Sequence, residues 1–222
     1  MGVYTTVVKF FQEGGLFMYP IAIVLGLGVA IAIERWLFLT MTTAKNKALW
    51  NSVTPYLKSG NLSGAMQVTA KSKAAIAQIM TYGLNRVRSA RRREDVEQAM
   101  EESLMEVMPR LEKRTHYLAT FANIATLLGL LGTIVGLISA FTAVATANPA
   151  EKADLLSASI SVAMNTTAFG LIVAIPLLLV HTLLQTKTTE IIDSLEMASV
   201  KFLNAITERA ATDAKPAAKS AG

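Results

Sequence analysis

The chain has 222 residues, no cysteine, two histidines and a formal charge of +5. Without cysteine there is no disulfide framework, thiolate metal site or cysteine nucleophile, and His116 and His181 alone argue against a histidine-rich metal centre. The 37 charged residues avoid three stretches entirely, Gly14–Ile33, Tyr117–Ala150 and Leu155–Thr186, of 20, 34 and 32 residues, so the remaining 136 are 27% charged, close to the roughly 25% of a soluble domain.

A hydrocarbon core needs about 20 mainly apolar residues in a helix, so the chain reads as an all-α membrane protein. It has three transmembrane helices, the second and third extended into the cytoplasm, and a helical cytoplasmic loop domain. The charge excess lies in one segment: 34–116 sums to +6, against 0, −1 and 0 for 1–13, 151–154 and 187–222. Basic residues near span ends set topology, and that account of the excess leaves nucleic acid out. It places residues 1–13 and a short loop at 148–156 in the periplasm, with the large loop and the C-terminus inside. The first span does not fit a cleaved leader, because Lys9 is offset by Glu13 and the positive charges follow the span.

Transmembrane helix 1 covers 14–39. Its Gly26, Gly28, Ala30 and Ala32 allow some close packing, but its Leu, Ile and Val residues suit lipid. Glu34 and Arg35 fall where the helix leaves the hydrocarbon and act with Trp36 as an interface anchor. The cytoplasmic domain, 40–116, is helical. Lys45–Lys58 and Leu62–Lys71 are separated by Ser59-Gly60-Asn61, where Gly closes one helix and Asn61 caps the next. Ile76, Ile79, Met80, Leu84 and Val87 give helical spacing to Ala74–Ser89. From Glu94, the series Val96, Met100, Leu104, Val107, Leu111 and Leu118 runs on into the second span, with Pro109 kinking the helix rather than ending it. The arginines 86, 88, 91, 92 and 93 fit contact with anionic lipid or a topological role.

Transmembrane helix 2, 117–147, carries small residues at Ala125, Gly129, Gly132, Gly136, Ala140 and Ala143, all on one helical face. Gly132 and Gly136 form a GxxxG pair, and Thr126 and Thr133 make an adjoining polar stripe. At about 1.5 Å per residue the 34-residue charge-free stretch exceeds a hydrocarbon core of about 30 Å, so it projects from the membrane. Transmembrane helix 3, 157–186, repeats the design with Ala163, Thr167, Gly170 and Ala174, adds Asn165 and Thr166, and loses a backbone hydrogen bond at Pro176. Residues 187–210 continue as an amphipathic helix, and the Ala-, Lys- and Pro-rich tail 211–222 is expected to be disordered.

Gly129, Gly132, Gly136, Gly170, Ala174 and Pro176 are the expected helix-packing positions. Thr126, Thr133, Asn165, Thr166 and Thr167, clustered on small-residue faces, are the candidates to line a hydrated path. Hydroxyls in membrane helices also simply bond back to the backbone, and that alternative stays open. Proton relays in membranes use Asp, Glu or His; the second and third charge-free stretches contain no acid, and His181 lies near the inner end of the third. If protons pass here, another chain supplies the carboxylate. No nucleophile–base constellation or phosphate-cradling loop marks an enzyme, and no cofactor or metal is expected.

Leu128-Leu-Gly-Leu-Leu-Gly-Thr-Ile-Val-Gly136 and Asn165-Thr-Thr-Ala-Phe-Gly-Leu-Ile-Val-Ala-Ile-Pro176 resemble the signature spans of the MotA/TolQ/ExbB proton-channel family. Gly14–Pro20 and the closing Glu34-Arg35 are similar to its first span. Three spans with a large loop after the first look closest to the ExbB and TolQ type. The resemblance implies an inner-membrane pentamer around a single-span ExbD- or TolR-like partner whose membrane helix carries an Asp. Proton flow past that Asp would drive work on a TonB-like or TolA-like protein, with Thr133 and Thr167 facing the pore. The chain departs from the family at Val162, where a Glu is common, at His181-Thr182 and at Thr126. A sodium-driven, gliding or stator-type member therefore stays open, as does a structural scaffold without conduction.

Overall fold

The computed structural model describes residues 2, 10, 11, 14–87, 89, 90 and 92–219, with side chains described as far as residue 208. The described residues contain no strand. Their helices are α1 (Met18–Ser59), α2 (Leu62–Ala70), α3 (Ala75–Val87), α4 (Arg93–Glu112), α5 (Thr115–Thr146) and α6 (Lys152–Lys219). Three helical stretches, Met18–Ser59, Arg93–Thr146 and Lys152–Glu208, are long and apolar enough to cross a membrane, as expected of an all-α multi-pass membrane protein. Most of the expected N-terminal segment 1–13, and Arg88 and Arg91 of the arginine cluster, fall outside the described residues.

The chain divides into two units, Met1–Arg35 with Arg114–Leu184, and Trp36–Lys113 with Gln185–Gly222. In the first unit, Gly14 and Gly15 turn the chain into α1. Gly15 has φ +74°, a conformation that costs a residue with a Cβ about 1–2 kcal/mol. Helix α1 therefore starts at Met18, four residues later than expected. Helices α5 and α6 pack through their small residues: Ala122, Ala125, Gly129, Gly132 and Ala140 of α5 are buried, as are Ala163, Thr166, Gly170 and Ala174 of α6. The rings of Phe10 and Phe11 lie edge-on against Phe169, at 6.4 and 5.9 Å between centroids. This part of the N-terminal segment thus rests on the middle of an apolar helix. Between 17 and 28% of the most apolar window of each span is buried, so the greater part of each must face lipid or another chain.

The second unit has an apolar core contributed by every one of its helices. A stripe of Leu39, Asn46, Leu49, Val53 and Leu57 is buried on α1, at the 3–4 residue spacing of one helical face. Buried residues Ala65 of α2, Ile76, Ile79, Met80 and Leu84 of α3, Val96, Met100, Leu104, Val107 and Leu111 of α4, and Leu195, Phe202 and Leu203 of α6 complete it. At Gly83 an added Cβ would meet Met100 at 2.8 Å and Phe202 at 3.0 Å, so α3, α4 and α6 converge on that glycine. The turn after α1 forms as anticipated. Gly60 has φ +68°, and Asn61 Oδ1 accepts the Gly64 N–H at 2.8 Å.

Three expectations need correction. Lys45–Lys58 is not a separate helix but the continuation of the first span, because neither Gly nor Pro occurs between Gly28 and Pro55, which itself lies inside α1. The helix from Glu94 does not run unbroken into the second span. Pro109 sits within α4, and the carbonyl it deprives of a donor belongs to Met105, 61% exposed. The break falls at Lys113–Arg114 instead, where Arg114 takes φ +67°. Lastly, helical backbone extends to Lys219 through the alanine-rich tail expected to lack structure. Alanine is the strongest helix former, and the side chains of 211–222 lie outside the described residues.

Candidate functional site

The site is built where α5 and α6 come closest. An added Cβ on Gly170 would lie 2.7 Å from the Ala125 carbonyl oxygen and 3.1 Å from Gly129 Cα, and one on Gly129 3.2 Å from Thr167 Cα. Backbone meets backbone here, which only glycine permits. Gly136 opposes Ala163 in the same way, and Gly132 opposes Thr166. The small-residue faces read from the sequence therefore pack against each other within one chain. Ala174 is buried with them, whereas Pro176 is exposed and lies off the packed face.

That close approach brings Thr133 and Thr167 together, hydroxyl to hydroxyl. Thr167 Oγ1 lies 2.9 Å from the Gly129 carbonyl oxygen, and Thr133 Oγ1 lies 3.2 Å from the same oxygen and 3.4 Å from that of Ala163. Each hydroxyl has one proton and two lone pairs. An ordered assignment has Thr133 donating to Thr167 and Thr167 donating to Gly129, which leaves lone pairs on the Thr133 oxygen. Both threonines are half-buried and flanked by exposed apolar side chains such as Leu130 and Ile134. The pair is a polar point on an apolar surface, in a stretch without charge.

The other candidates are placed elsewhere. Thr166 is buried, and its hydroxyl lies 2.6 Å from the Gly14 carbonyl oxygen and 2.9 Å from that of Val162. It ties the start of α1 to α6 and does not face an open path. Thr126 is exposed and donates to Ala122 of its own helix at 3.1 Å. Asn165 is half-buried and off the packed face. The contact between the Gly14-Gly15 turn and α6 was not read from the sequence, and the paired glycines were its one signal.

Also in the first unit, Glu34 pairs with Arg114 at 3.7 Å, both side chains about half-exposed. Arg35, expected beside Glu34 at the interface, is 2% exposed, because one helical position turns it by about 100° onto the packed face. In the second unit, Lys187 Nζ stands 4.4 Å above the Trp36 ring and donates to Thr40 at 2.6 Å.

A family model described as the MotA/TolQ/ExbB proton channel family matches residues 71–197. The chain is 28% identical over 196 residues to a biopolymer transport protein ExbB homolog of Methanothermobacter thermautotrophicus, covering 87% of this chain and 68% of that one. It is likewise 28% identical over 169 residues to the biopolymer transport protein ExbB-like 3 of Synechocystis, 76% of this chain and 80% of that one. Over 53 residues, 24% of this chain and 23% of the other, it is 47% identical to the biopolymer transport protein exbB1 of Vibrio cholerae.

Proposed function

The chain belongs to the MotA/TolQ/ExbB proton channel family, and from that premise we propose that it is the scaffold subunit of an ion-driven energising complex of the inner membrane. Its partner is an ExbD- or TolR-like single-span protein bearing an Asp, around which several copies of this chain assemble as a pentamer. The work goes to a TonB-like or TolA-like protein that serves transport across the envelope. The names of the relatives, all biopolymer transport proteins of ExbB type, favour this branch over a flagellar or gliding motor.

One observation carries the reading: the Thr133–Thr167 hydroxyl pair on an otherwise apolar, charge-free surface. A hydroxyl can accept from a neutral carboxylic acid and, by rotating its proton, donate to the carboxylate. It therefore solvates both protonation states of a partner Asp passing over it, where apolar side chains would solvate neither. The acid is absent from the second and third charge-free stretches, so the partner brings it.

The test is Thr133→Val with Thr167→Val, in complexes with the cognate single-span protein reconstituted in liposomes. Gradient-driven proton or sodium flux should fall by at least about tenfold, the effect of about 1.4 kcal/mol on a barrier, while the complex still assembles. Full flux in the double variant removes the pair from the pathway. A second reading, a scaffold without conduction, is favoured by the fact that the two hydroxyls satisfy each other and the glycines are consumed in packing. It predicts no flux of either ion through the unaltered complex.

A further inference from the structure

In the second unit a cleft of about 320 Å³ opens between α1, α3 and α6, lined by Asn46, Lys47, Trp50, Ile76, Met197 and Lys201 among others, with no carboxylate in its wall. Asn46 is 6% exposed. Its Oδ1 accepts the Ile76 N–H at 3.3 Å, which fixes the amide orientation and leaves Nδ2 as a buried donor without a hydrogen bond. A buried unsatisfied amide donor costs about 1–3 kcal/mol; Nδ2 has essentially no accessible surface, so an acceptor in the cleft recovers that loss only with a shift of the side chains that cover it. Lys47 and Lys201 reach it from different helices, and neither forms an ion pair among the described residues. The donor set is therefore one amide and two ammonium groups, beside an apolar wall of Trp50, Ile76 and Met197.

We propose that this cleft is a binding site for a small soluble anion, a carboxylate or phosphate monoester with an apolar portion. The anionic oxygens would take Asn46 Nδ2 and the two lysines, and the apolar part would lie on Trp50 and Met197. A lipid headgroup shares this chemistry, but the cleft stands too far along the helices. The Trp36–Lys187 contact has the amphipathic character of a membrane-interface level. Lys47 lies 11 residues beyond Trp36, and Lys201 14 beyond Lys187, which is about 16 and 21 Å of helix. The headgroup layer extends only about 5–8 Å past the hydrocarbon.

The chain has two tryptophans, so in Trp36→Phe the fluorescence of Trp50 reports on the cleft. The full-length protein is placed in phosphatidylcholine nanodiscs and titrated with octyl phosphate, octanoate and uncharged octanol. Saturable changes in Trp50 emission are expected for both anions, with octanol at least about tenfold weaker because it lacks charge-assisted hydrogen bonds. Asn46→Asp keeps the acceptor for Ile76 and replaces the donor with a negative charge, and the surface pair Lys47→Met with Lys201→Met keeps the buried amide. Each should weaken anion binding about tenfold or more. Absence of a saturable change, an equal response to octanol, or unchanged affinity in both variants overturns the site. Nanodiscs containing phosphatidylglycerol provide the remaining arm. If they alone shift Trp50 emission and abolish the response to octyl phosphate, the anion is a lipid headgroup and the soluble-ligand assignment falls.

Discussion

The two threonines at the α5–α6 contact differ in what surrounds their oxygens. Thr167 is committed to the Gly129 carbonyl, whereas Thr133 has Thr167, Gly129 and Ala163 within reach and is the freer to turn. The sequence showed both hydroxyls on small-residue faces, but not that they meet, because the contact depends on a Cα-to-Cα approach at Gly129 and Gly170. Thr126 and Asn165 looked equivalent by type and are not, since half a helical turn decides which side chain is enclosed. Arg114 was illegible for another reason. Left-handed backbone is expected at Gly or Asn, and here an arginine adopts it at φ +67°. Arg114→Gly and Arg114→Ala both lose the half-exposed pair with Glu34, worth about 0–1 kcal/mol. Only glycine relieves the backbone, so the glycine variant should be the more stable of the two by about 1 kcal/mol, measured by denaturant titration in detergent micelles.

Among the elements, what was legible followed periodicity and what was not followed boundaries. The apolar stripe of α4 falls on buried positions as spaced, and that of α3 does so except at Val87. Of Ile192, Leu195, Ser199, Phe202 and Ile206, the spacing that made 187–210 amphipathic, only Leu195 and Phe202 are buried. The Gly60-Asn61 stop has the turn chemistry anticipated. Fusion of the first span with Lys45–Lys58 had no signal, since charged residues end a membrane span without ending a helix. The glycines of the spans also separate by element. An added Cβ on Gly170 meets backbone at 2.7 Å, while one on Gly26 meets nothing within 4 Å. Gly170→Val should therefore destabilise the α5–α6 pair by about 1–3 kcal/mol. Gly26→Ala should be neutral or stabilising by up to about 1 kcal/mol. Thermal unfolding of the two variants side by side checks the contrast, and equal losses would mean that the α5–α6 contact is not as close as described.

For the whole molecule, the distribution of charge carried most of the reading. Stretches free of charge gave the spans, and the surplus of +6 in 34–116 predicts which side each loop occupies. Because the chain has no cysteine, single cysteines report topology without background. A membrane-impermeant maleimide should label Asn148→Cys from the periplasmic face of spheroplasts, and Ser59→Cys only after the membrane is opened. Labelling of both from the same side would reverse the topology proposed for one of them. The expectation of another chain comes from the acid missing in the second and third charge-free stretches, whereas the pentamer and the kind of partner are implied only by the resemblance to the family.

The three passages of the chain between the two units are not alike in helical continuity. Helices α1 and α6 pass from one unit to the other unbroken, whereas the passage from α4 to α5 is cut at Lys113–Arg114. Thr167 thus shares one continuous helix with Phe202, whereas between Thr133 and the buried residues of α4 the helical hydrogen-bond ladder stops at Lys113–Arg114. The two hydroxyls that touch in the apolar unit therefore belong to helices of different continuity: one runs on past that unit, the other begins at Thr115.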